Sequence, residues 1–310
     1  MKVIRINRMD PIKPIKEGLV VALGYFDGIH IAHMDLINKV VELGNDTKMK
    51  TGVVTFHPHP AFILNKKDVT DFLTPLEVKI DLLKKVNIDY LFIVDFDTET
   101  AVIPHKEFVQ TFFVPLNIKT VVAGFDNRYG QGGEGTVDTI RSDSDNSIDV
   151  VVIPERTYRG TKIGSSYVRE LLSKGDINTT TEVLGRNYSI DGFVTHGRGR
   201  GKTIGVPTAN VAIKYPYSVP KKGVYLVKLI HKGKEYYGVG NIGNNPTFNF
   251  KSNPSIEINI LDFDKDIYSD YVKVDFLTRI RDEKKFSSID ELVKQIDLDK
   301  EFARDYIKNN

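Results

Sequence analysis

The segment GYFDGIHIAH, Gly24–His33, carries the strongest chemical signal in the sequence. It follows an apolar run, and its glycines at 24 and 28 allow a tight turn with close backbone approach to a ligand. His33 is predicted at or near a helix N-terminus, where exposed N–H groups suit a phosphate. His30 and His33 would there donate hydrogen bonds to phosphate oxygens. The alternative is a packed or helix-capping pair, whereas zinc would need a third ligand and another spacing.

Three further polar segments of the first half fall where strands end or helices begin. They are TFHPHP at Thr55–Pro60, GFDNRYGQGGEG at Gly124–Gly135 and KIGSSYVR at Lys162–Arg169. In the last of these, Ser165 and Ser166 open a predicted helix and Arg169 follows one turn later, which favours a second phosphate. Together with the two histidines, these segments indicate a nucleotide site.

A glycine-rich segment, GRGRGKTIGVPTAN at Gly197–Asn210, marks the second half. It is not a P-loop, because that motif would need glycine at His196 and a following helix, which Pro207 disfavours. One open interpretation is a nucleic-acid contact through its arginines. The other is a flexible loop over phosphates, with the Thr208 hydroxyl and the Asn210 carbonyl oxygen as ligands for Mg²⁺.

Glu257 lies within SIEINI, Ser255–Ile260, where apolar and polar residues alternate as on a strand. A glutamate in such a strand is ordinarily exposed to solvent. If its face instead lines a ligand cavity, its carboxylate can act as a general base on a substrate hydroxyl. That second interpretation agrees with a glycine-rich loop that covers phosphates.

The elements that must position these residues divide the chain into two halves. Five β-branched-rich runs alternate with helical patterns up to Pro154, at 19–23, 51–56, 90–94, 120–123 and 148–153. Such runs predict an α/β domain with a parallel sheet covered on both faces, which binds ligands beyond the carboxyl ends of its strands. Two helical segments follow, then short strands typical of a barrel or sandwich, and amphipathic helix at the end. The domain boundary is predicted near residues 184–188.

Composition excludes several classes of function. The chain has 310 residues, a formal net charge of +2 and no cysteine. Balanced charge disfavours a nucleic-acid or membrane-surface partner, and the lack of cysteine excludes disulfides, thiolate metal sites and thiol nucleophiles. Without a signal-peptide core or an apolar run of ~18 residues, the sequence predicts a soluble, cytoplasmic protein.

These segments together resemble the bacterial bifunctional riboflavin kinase/FAD synthetase family, and the resemblance spans essentially the whole chain. In the first half, the family motif GxFDGxHxGH is met by Gly24, Phe26, Asp27, Gly28, His30 and His33, FxPxP by Phe56, Pro58 and Pro60, the GxDFxFG-like loop by Gly124–Gly130, and ISSTxxR by Ile163–Arg169. In the second half, PTAN stands at Pro207–Asn210 after the glycine loop, NIGxxPTF at Asn241–Phe248, the ExHxxDF-like strand at Glu257, and LRxExKF at Ile280–Phe286. Any one motif is weak, but eight in the right order are specific.

The resemblance implies two domains and two reactions. Residues 1–184 would form a Rossmann-like FMN adenylyltransferase (FAD synthetase) domain, and residues 188–310 an antiparallel β-barrel riboflavin kinase domain with terminal helices. The kinase would phosphorylate riboflavin to FMN with MgATP, and the adenylyltransferase would transfer AMP from ATP onto FMN, giving FAD and pyrophosphate. Glu257 would be the general base for the alcohol acceptor. His30, His33 and Arg169 would stabilise charge for an acceptor that is already an anion.

The resemblance also implies binding residues for ATP, the flavins and Mg²⁺. ATP and its phosphates would contact Gly24, Phe26, Asp27, Gly28, Ser165, Ser166, Gly197, Gly199, Gly201, Lys202 and Gly205. The flavin would contact Phe56, Pro58, Pro60, Asp126, Asn127, Arg128, Arg281 and Glu283, and Mg²⁺ would contact Thr208 and Asn210. The expected partners are therefore riboflavin, FMN, FAD and ATP.

Several positions depart from the family pattern. Ala32 replaces a glycine, Asn127 an aromatic residue, Gly164 the first serine of ISST, Asn245 a common arginine and Asn259 a common histidine. These departures leave open a family member with a single activity. A more remote alternative is a nucleotidyltransferase-like domain joined to an RNA-binding barrel.

Overall fold

The computed structural model describes residues 1–64, 71–196, 205–244 and 254–309. They fall into two compact units, Met1–Ser165 and Ser166–Asn310. The predicted boundary near 184–188 lies farther along the chain and stays a prediction.

The first unit is built on a six-stranded parallel sheet of order β1-β4-β3-β2-β5-β8. Its strands are β1 (Lys2–Ile6), β2 (Leu19–Leu23), β3 (Lys50–His57), β4 (Tyr90–Asp95), β5 (Ile118–Gly124) and β8 (Asp149–Ile153), with the short pairs β6 (Arg128–Tyr129) and β7 (Gly135–Thr136), and β9 (Thr157–Tyr158) and β10 (Thr161–Lys162). Its helices are α1 (Ile31–Thr47), α2 (Pro60–Ile63), α3 (Leu76–Leu83), α4 (His105–Phe108) and α5 (Ile140–Asp143), with short 3₁₀ or π turns at Thr100–Val102, Val109–Phe113 and Gln131–Gly133. The predicted α/β domain with a parallel sheet is confirmed.

Strand β2 shows why these runs are apolar without alternation. Leu19, Val21 and Leu23 pack into a cluster with the phenylalanines around Val109–Phe113, whereas Val20 and Ala22 pack into a second cluster with α1 and α3. All five residues are buried, because helices cover both faces of the sheet. The loops that carry the chemical motifs therefore leave the sheet at the carboxyl ends of neighbouring strands.

The second unit is built on a closed six-stranded antiparallel barrel of order β11-β12-β15-β14-β13-β16, as the resemblance implied. Its elements are α6 (Ser165–Lys174), which begins at the last residue of the first unit, α7 (Ile177–Leu184), β11 (Tyr188–Thr195), β12 (Ala209–Ile213), β13 (Gly223–His231), β14 (Lys234–Asn244), β15 (Pro254–Ile260), β16 (Tyr271–Arg281) and α8 (Ile289–Asn309). A two-residue hairpin turn joins β13 and β14, since His231 pairs with Lys234 and both intervening residues have positive φ.

Helix α8 is fixed to the barrel by one buried ion pair. The guanidinium of Arg281 donates from Nε and Nη2 to the carboxylate of Asp299, with nitrogen–oxygen distances of 2.7–3.1 Å. The two side chains are only 15% and 3% exposed. Nearby, Ala303 packs with Val224 and Val239 in a small apolar cluster. The pair therefore joins the helix to the end of β16 in a water-poor setting.

Replacing Asp299 by alanine is expected to lower the free energy of unfolding of the second unit by about 3–5 kcal/mol, because it leaves the Arg281 charge buried without its partner. The matched control is Asp262→Ala, which breaks the exposed pair with Arg304 on the same helix, 53% and 72% exposed. That loss should stay below about 1 kcal/mol. Urea unfolding followed by circular dichroism measures both. Equal losses would show that the buried pair does not fasten α8.

Candidate active sites

The loop that follows β2 is a strained turn. Phe26, Gly28 and Ile29 have φ values of 57°, 88° and 40°, and Phe26 is 1% exposed. Bulky residues occupy the left-handed region only where the surroundings force them to, and such positions cluster at functional sites. The glycine at 28 meets the prediction of a tight turn at this motif.

Asp27 fixes this turn from within the first unit. Its buried carboxylate accepts from the backbone N–H groups of Leu73 and Thr74, at 3.2 and 2.9 Å. Thr74 returns the contact, since its hydroxyl oxygen accepts from the Gly28 N–H at 2.7 Å. The hydroxyl of Ser165, the last residue of the first unit, donates to the Asp27 carbonyl oxygen at 2.8 Å.

The histidine pair lies at the N-terminus of α1, as predicted. His30 is the N-cap: its Nδ1 accepts from the His33 N–H at 3.2 Å, and the two rings stack with centroids 3.6 Å apart. The ring of Phe26 meets His33 edge-on at 5.1 Å. A neutral imidazole whose Nδ1 accepts carries its proton on Nε2. Capping and donation thus use different nitrogens, so the two interpretations of the pair are compatible.

The FxPxP segment lies beside this turn at the end of β3. Pro60 is the first residue of α2, and His59 is its N-cap. The His59 ring lies 3.9 Å from the ring of Tyr25, and Phe56 packs between Phe96 and Phe108. Pro58, between Phe56 and His59 in the sequence, is half-buried.

The loop after β5 reaches the same edge of the sheet. The Asn127 amide donates to the carbonyl oxygen of Leu23, the last residue of β2, at 3.0 Å. Its own Oδ1 is buried and has no hydrogen-bond partner among the described residues. Asp126 is ion-paired with Lys162, whose ammonium lies 4.6 Å from the exposed ring of Phe125. Arg128, on β6, is exposed. The loops after β2, β3 and β5 therefore meet, as the sheet order requires.

A buried network that the sequence did not reveal braces the loop after β5. His105 Nδ1 lies 2.7 Å from the Asp143 carboxylate, and the Tyr129 hydroxyl donates to the same oxygen. Burial and Asp143 raise the pKa of Tyr129 above its ordinary value. A Cβ at Gly130 would lie 2.5 Å from the Cα of His105, so the loop packs tightly there. The three residues are distant in sequence, which is why no local pattern indicated them.

Ser166 and Arg169 belong to the second unit, where they follow Ser165 along α6. Ser166 is exposed and Arg169 is half-buried. The predicted hydroxyls therefore stand at the start of a helix, with the arginine one turn on.

In the second unit, Asn210, Glu257 and Asn241 form one row across three strands. Glu257 on β15 is the register partner of Asn210 on β12 and of Asn241 on β14. Side chains of such partners lie on the same face, with Cβ atoms about 4.5–5.5 Å apart. All three are half-buried. The Asn259 amide on the same face donates to the Pro207 carbonyl oxygen at 2.7 Å and so ties β15 to the PTAN segment.

A cavity of about 280 Å³ opens beside the PTAN segment. It is lined by Pro207, Thr208, Ala209, Ile258, Ile260, Tyr268 and the segment between Phe263 and Ile267. Because residues alternate along a strand, Glu257 lies on the face opposite to Ile258, and it is not part of this lining. Thr208 is thus in the cavity, while Glu257 faces the Asn210–Asn241 side of the strand.

The remaining predicted residues of this unit fall into three groups. The guanidinium of Arg281 is hydrogen-bonded to Asp299. The exposed Glu283 lies close to Gly243: a Cβ added at Gly243 would be 2.8 Å from Glu283 Oε1 and 3.2 Å from Asn241 Nδ2. Glu283 therefore lies near the Asn241 end of the row. Gly205 is exposed with φ of 76°. Gly197, Gly199, Gly201, Lys202 and Asn245 lie outside the described residues.

Comparison with known proteins identifies both units. The family model described as FAD synthetase matches residues 12–167, and the one described as riboflavin kinase matches residues 184–307. A protein of Bacillus subtilis described as a bifunctional riboflavin kinase/FMN adenylyltransferase is 40% identical over 313 residues, covering 100% of this chain and 99% of that one. The chain belongs to the bifunctional riboflavin kinase/FMN adenylyltransferase family. It is a transferase with both activities, the FMN adenylyltransferase in the N-terminal region and the kinase in the C-terminal region.

Two further relatives agree over most of their length. A Listeria monocytogenes protein of the same description is 35% identical, covering 92% of this chain and 91% of that one. A solved structure described as a macrolide-efflux protein from Streptococcus pneumoniae superimposes with a TM-score of 0.89 and 32% identity, covering 97% of this chain and 98% of that one. In the described part of the present chain, no helix is both long and apolar enough to cross a bilayer.

Proposed function

We propose that the two reactions of this bifunctional enzyme use separate residue sets, the His30–His33 turn for AMP transfer and the Asn210–Glu257 row for phosphorylation. The observation that carries this division is the placement of the two sets in different compact units, each within the range of a different family model. Riboflavin, FMN and FAD are substrates or products of these activities, and ATP is the donor in both.

In the kinase reaction, Glu257 takes the proton from the 5′-hydroxyl of riboflavin as its oxygen attacks the γ-phosphorus of ATP. The products are FMN and ADP. An alcohol is a poor nucleophile, so a positioned base accelerates its attack, typically by ~10²–10⁴-fold. Asn210 and Asn241 are its register partners on the two neighbouring strands, so their side chains lie on the same face as the carboxylate.

We assign a Mg²⁺ ion that arrives with ATP to Thr208 at the cavity and to Asn210 in the row with Glu257. Their hydroxyl and amide oxygens are hard, neutral ligands, and they stand two residues apart at the start of β12. In the described part of the chain, no three His, Asp or Glu side chains form a metal cluster. Mg²⁺ is ordinarily held by one or two protein oxygens together with substrate phosphates and water. When bound, the ion neutralises charge on the phosphate oxygens.

In the adenylyltransferase reaction, a phosphate oxygen of FMN attacks the α-phosphorus of ATP, and pyrophosphate leaves. The nucleophile is already an anion and needs no base. The task is to align the two reactants and to stabilise charge on the phosphorus oxygens. We assign this to the Nε2–H donor of His30, to His33 at the positive end of α1 and to Ser165; the roles of Ser166 and Arg169 stay predictions. The flavin lies against the loops after β3 and β5.

Replacing Thr208 by valine tests the metal assignment. The hydroxyl is lost at almost constant volume, so the Mg²⁺ concentration for half-maximal FMN formation should rise on the order of 10-fold. FAD formation from supplied FMN should not change. The matched control is Thr195→Val on the neighbouring strand β11, which should leave both reactions unaltered. An unchanged Mg²⁺ requirement in Thr208→Val would remove this residue from the site.

The whole assignment is tested by incubating the protein with MgATP and either riboflavin or FMN, then separating the flavins chromatographically. Riboflavin should yield FMN and FAD, and FMN should yield FAD. EDTA should stop the kinase reaction. The cytoplasmic location and the lack of a nucleic-acid partner stay predictions, and the glycine-rich loop with its two arginines lies outside the described residues.

A further inference from the structure

Lys79 is a lysine enclosed within the first unit. It lies on α3 between Leu76, Ile80 and Leu83, on the face that packs against the sheet, and is only 1% exposed. Lysine is almost never buried this fully unless its charge is paired. The ammonium is surrounded by neutral oxygens and an aromatic ring. Among the described residues, no carboxylate lies within ion-pair distance of it.

The contacts of Lys79 converge on Tyr25. The ammonium donates to the Tyr25 carbonyl oxygen, lies 3.4 Å from the Thr55 hydroxyl oxygen, and stands 3.8 Å from the centroid of the Tyr25 ring. The Thr55 hydroxyl donates to the same carbonyl at 2.9 Å. A single peptide oxygen is thus held from α3 and from β3 at once.

Holding this carbonyl orients the strained turn. The peptide is planar and trans, so fixing the Tyr25 C=O directs the Phe26 N–H to the opposite side, away from α3. Phe26 then takes up its left-handed conformation, and its ring packs against His33. A strained backbone persists only where its surroundings over-determine it. Lys79 supplies part of that constraint, and Asp27 and Thr74 supply another part.

We propose that Lys79 is a positioning residue for AMP transfer: its buried ammonium fixes the Tyr25 carbonyl and so holds the Tyr25–Gly28 turn, with the histidine pair behind it, in the reactive geometry. This inference rests on the proposed function, which places AMP transfer at that turn. Lys79 itself touches neither nucleotide nor flavin in this account. It acts through Tyr25 and Phe26.

The protonation of Lys79 gives the proposal a measurable signature. Burial lowers the pKa of Lys79 to about 8, against the opposing attraction of Asp27. The elements around Lys79 also carry Tyr25, Lys50 and His57 of β3, and Glu77 and Asp81 of α3. Burial lowers the pKa of His57, as do Arg5 and Lys79, against the opposing attraction of Glu77 and Asp95. FAD formation should therefore fall as the pH rises through about 8. The phosphates of ATP and FMN lose their last proton near pH ~6 and do not titrate in this range.

The sign of the stability effect separates this loss from unfolding. Between the folded pKa of about 8 and the ordinary lysine pKa of 10.5, the unfolded chain keeps the proton that the folded chain has released. The contribution of this group to stability therefore rises with pH over that interval. Activity and stability should move in opposite directions.

The deciding variant is Lys79→Met, which keeps an unbranched side chain one atom shorter and removes the charge. At pH 7, kcat for FAD formation from FMN should fall by about 10–100-fold, the cost of a small misplacement of reacting groups. FMN formation in the same sample should be unchanged, and the midpoint of thermal unfolding should not decrease. The decline above pH 8 seen with the unmodified protein should be absent. Lys84→Met, an exposed lysine at the end of the same helix, is the matched control and should behave as the unmodified protein.

Two results would overturn the proposal: FAD formation by Lys79→Met within twofold of the unmodified protein, or a flat FAD-formation profile of the unmodified protein between pH 7 and 9.5. Equal loss of both activities in Lys79→Met would also contradict it, since that indicates general disruption. If His30→Asn abolishes FAD formation while Lys79→Met does not, the proposed site stands and only the role of Lys79 fails. If His30→Asn is fully active, the site itself is wrong.

Discussion

Glu257→Gln is expected to lower kcat for FMN formation by about 10²–10⁴-fold, because the amide cannot take the proton of the riboflavin hydroxyl. The change is isosteric, so the side chain keeps its size and its place beside Asn210 and Asn241. FAD formation from supplied FMN should be unaltered, since its nucleophile is an anion in the other unit. Initial rates of both reactions, measured on one preparation by flavin chromatography, give the comparison.

The matched control for this variant is Glu235→Gln. Glu235 is an exposed glutamate on β14, paired with Lys228, and it belongs to the same barrel. It should leave both rates unchanged. A Glu257→Gln enzyme that phosphorylates riboflavin at an undiminished rate would return Glu257 to the ordinary class of solvent-exposed strand glutamates.

His30→Asn is expected to lower FAD formation by about 10²–10³-fold, the usual cost of losing one preorganised donor to developing charge. Asparagine is a good N-cap, so the variant keeps an acceptor for the His33 N–H but loses the Nε2–H. His30→Ala loses both groups and should in addition lower the stability of the first unit by about 1 kcal/mol. FMN formation from riboflavin should be unchanged in both variants.

The control for the capping effect is Asp176→Ala. Asp176 caps α7 by accepting from the Thr179 N–H at 3.1 Å, and it belongs to the second unit, whereas His30 and His33 belong to the first. It should cost comparable stability without reducing FAD formation. If His30→Asn is fully active while His30→Ala is merely less stable, the histidine pair is only a helix cap.

The sequence predicts the strands correctly where both faces of a strand are buried. The run LVVAL coincides with β2 because both of its faces pack against helices. In contrast, β1 was missed: it is an edge strand with exposed Lys2, Val3 and Arg5, so its pattern is not apolar. Strand β12 was missed as well, because it is short and begins inside the PTAN motif.

The C-terminal helix shows how a tertiary contact overrides local pattern. The sequence pattern predicts amphipathic helix over Ser288–Ile296 and Lys300–Lys308, with a gap at residues 297–299. The structure has one helix, Ile289–Asn309, and Asp299 in that gap is 2% exposed and paired with Arg281. The partner of a buried charge is distant in sequence, so its presence was not readable locally.

For the candidate sites, the motif residues were predictable but their supporting contacts were not. Glycine and histidine spacing pointed to the turn after β2 and the start of α1, and both lie there. The network of His105, Tyr129 and Asp143 left no local signal. Lys79 did leave one, because it interrupts the apolar face formed by Leu76, Ile80 and Leu83.

The most direct test of two independent sites is complementation between two damaged enzymes. Glu257→Gln and His30→Asn are incubated with riboflavin and MgATP, each alone and then mixed, and the flavins are separated. Glu257→Gln alone should leave riboflavin unchanged, His30→Asn alone should accumulate FMN, and the mixture should produce FAD through FMN released into solution. Formation of FAD by either variant alone, or its absence from the mixture when Glu257→Gln still converts added FMN, would contradict the account.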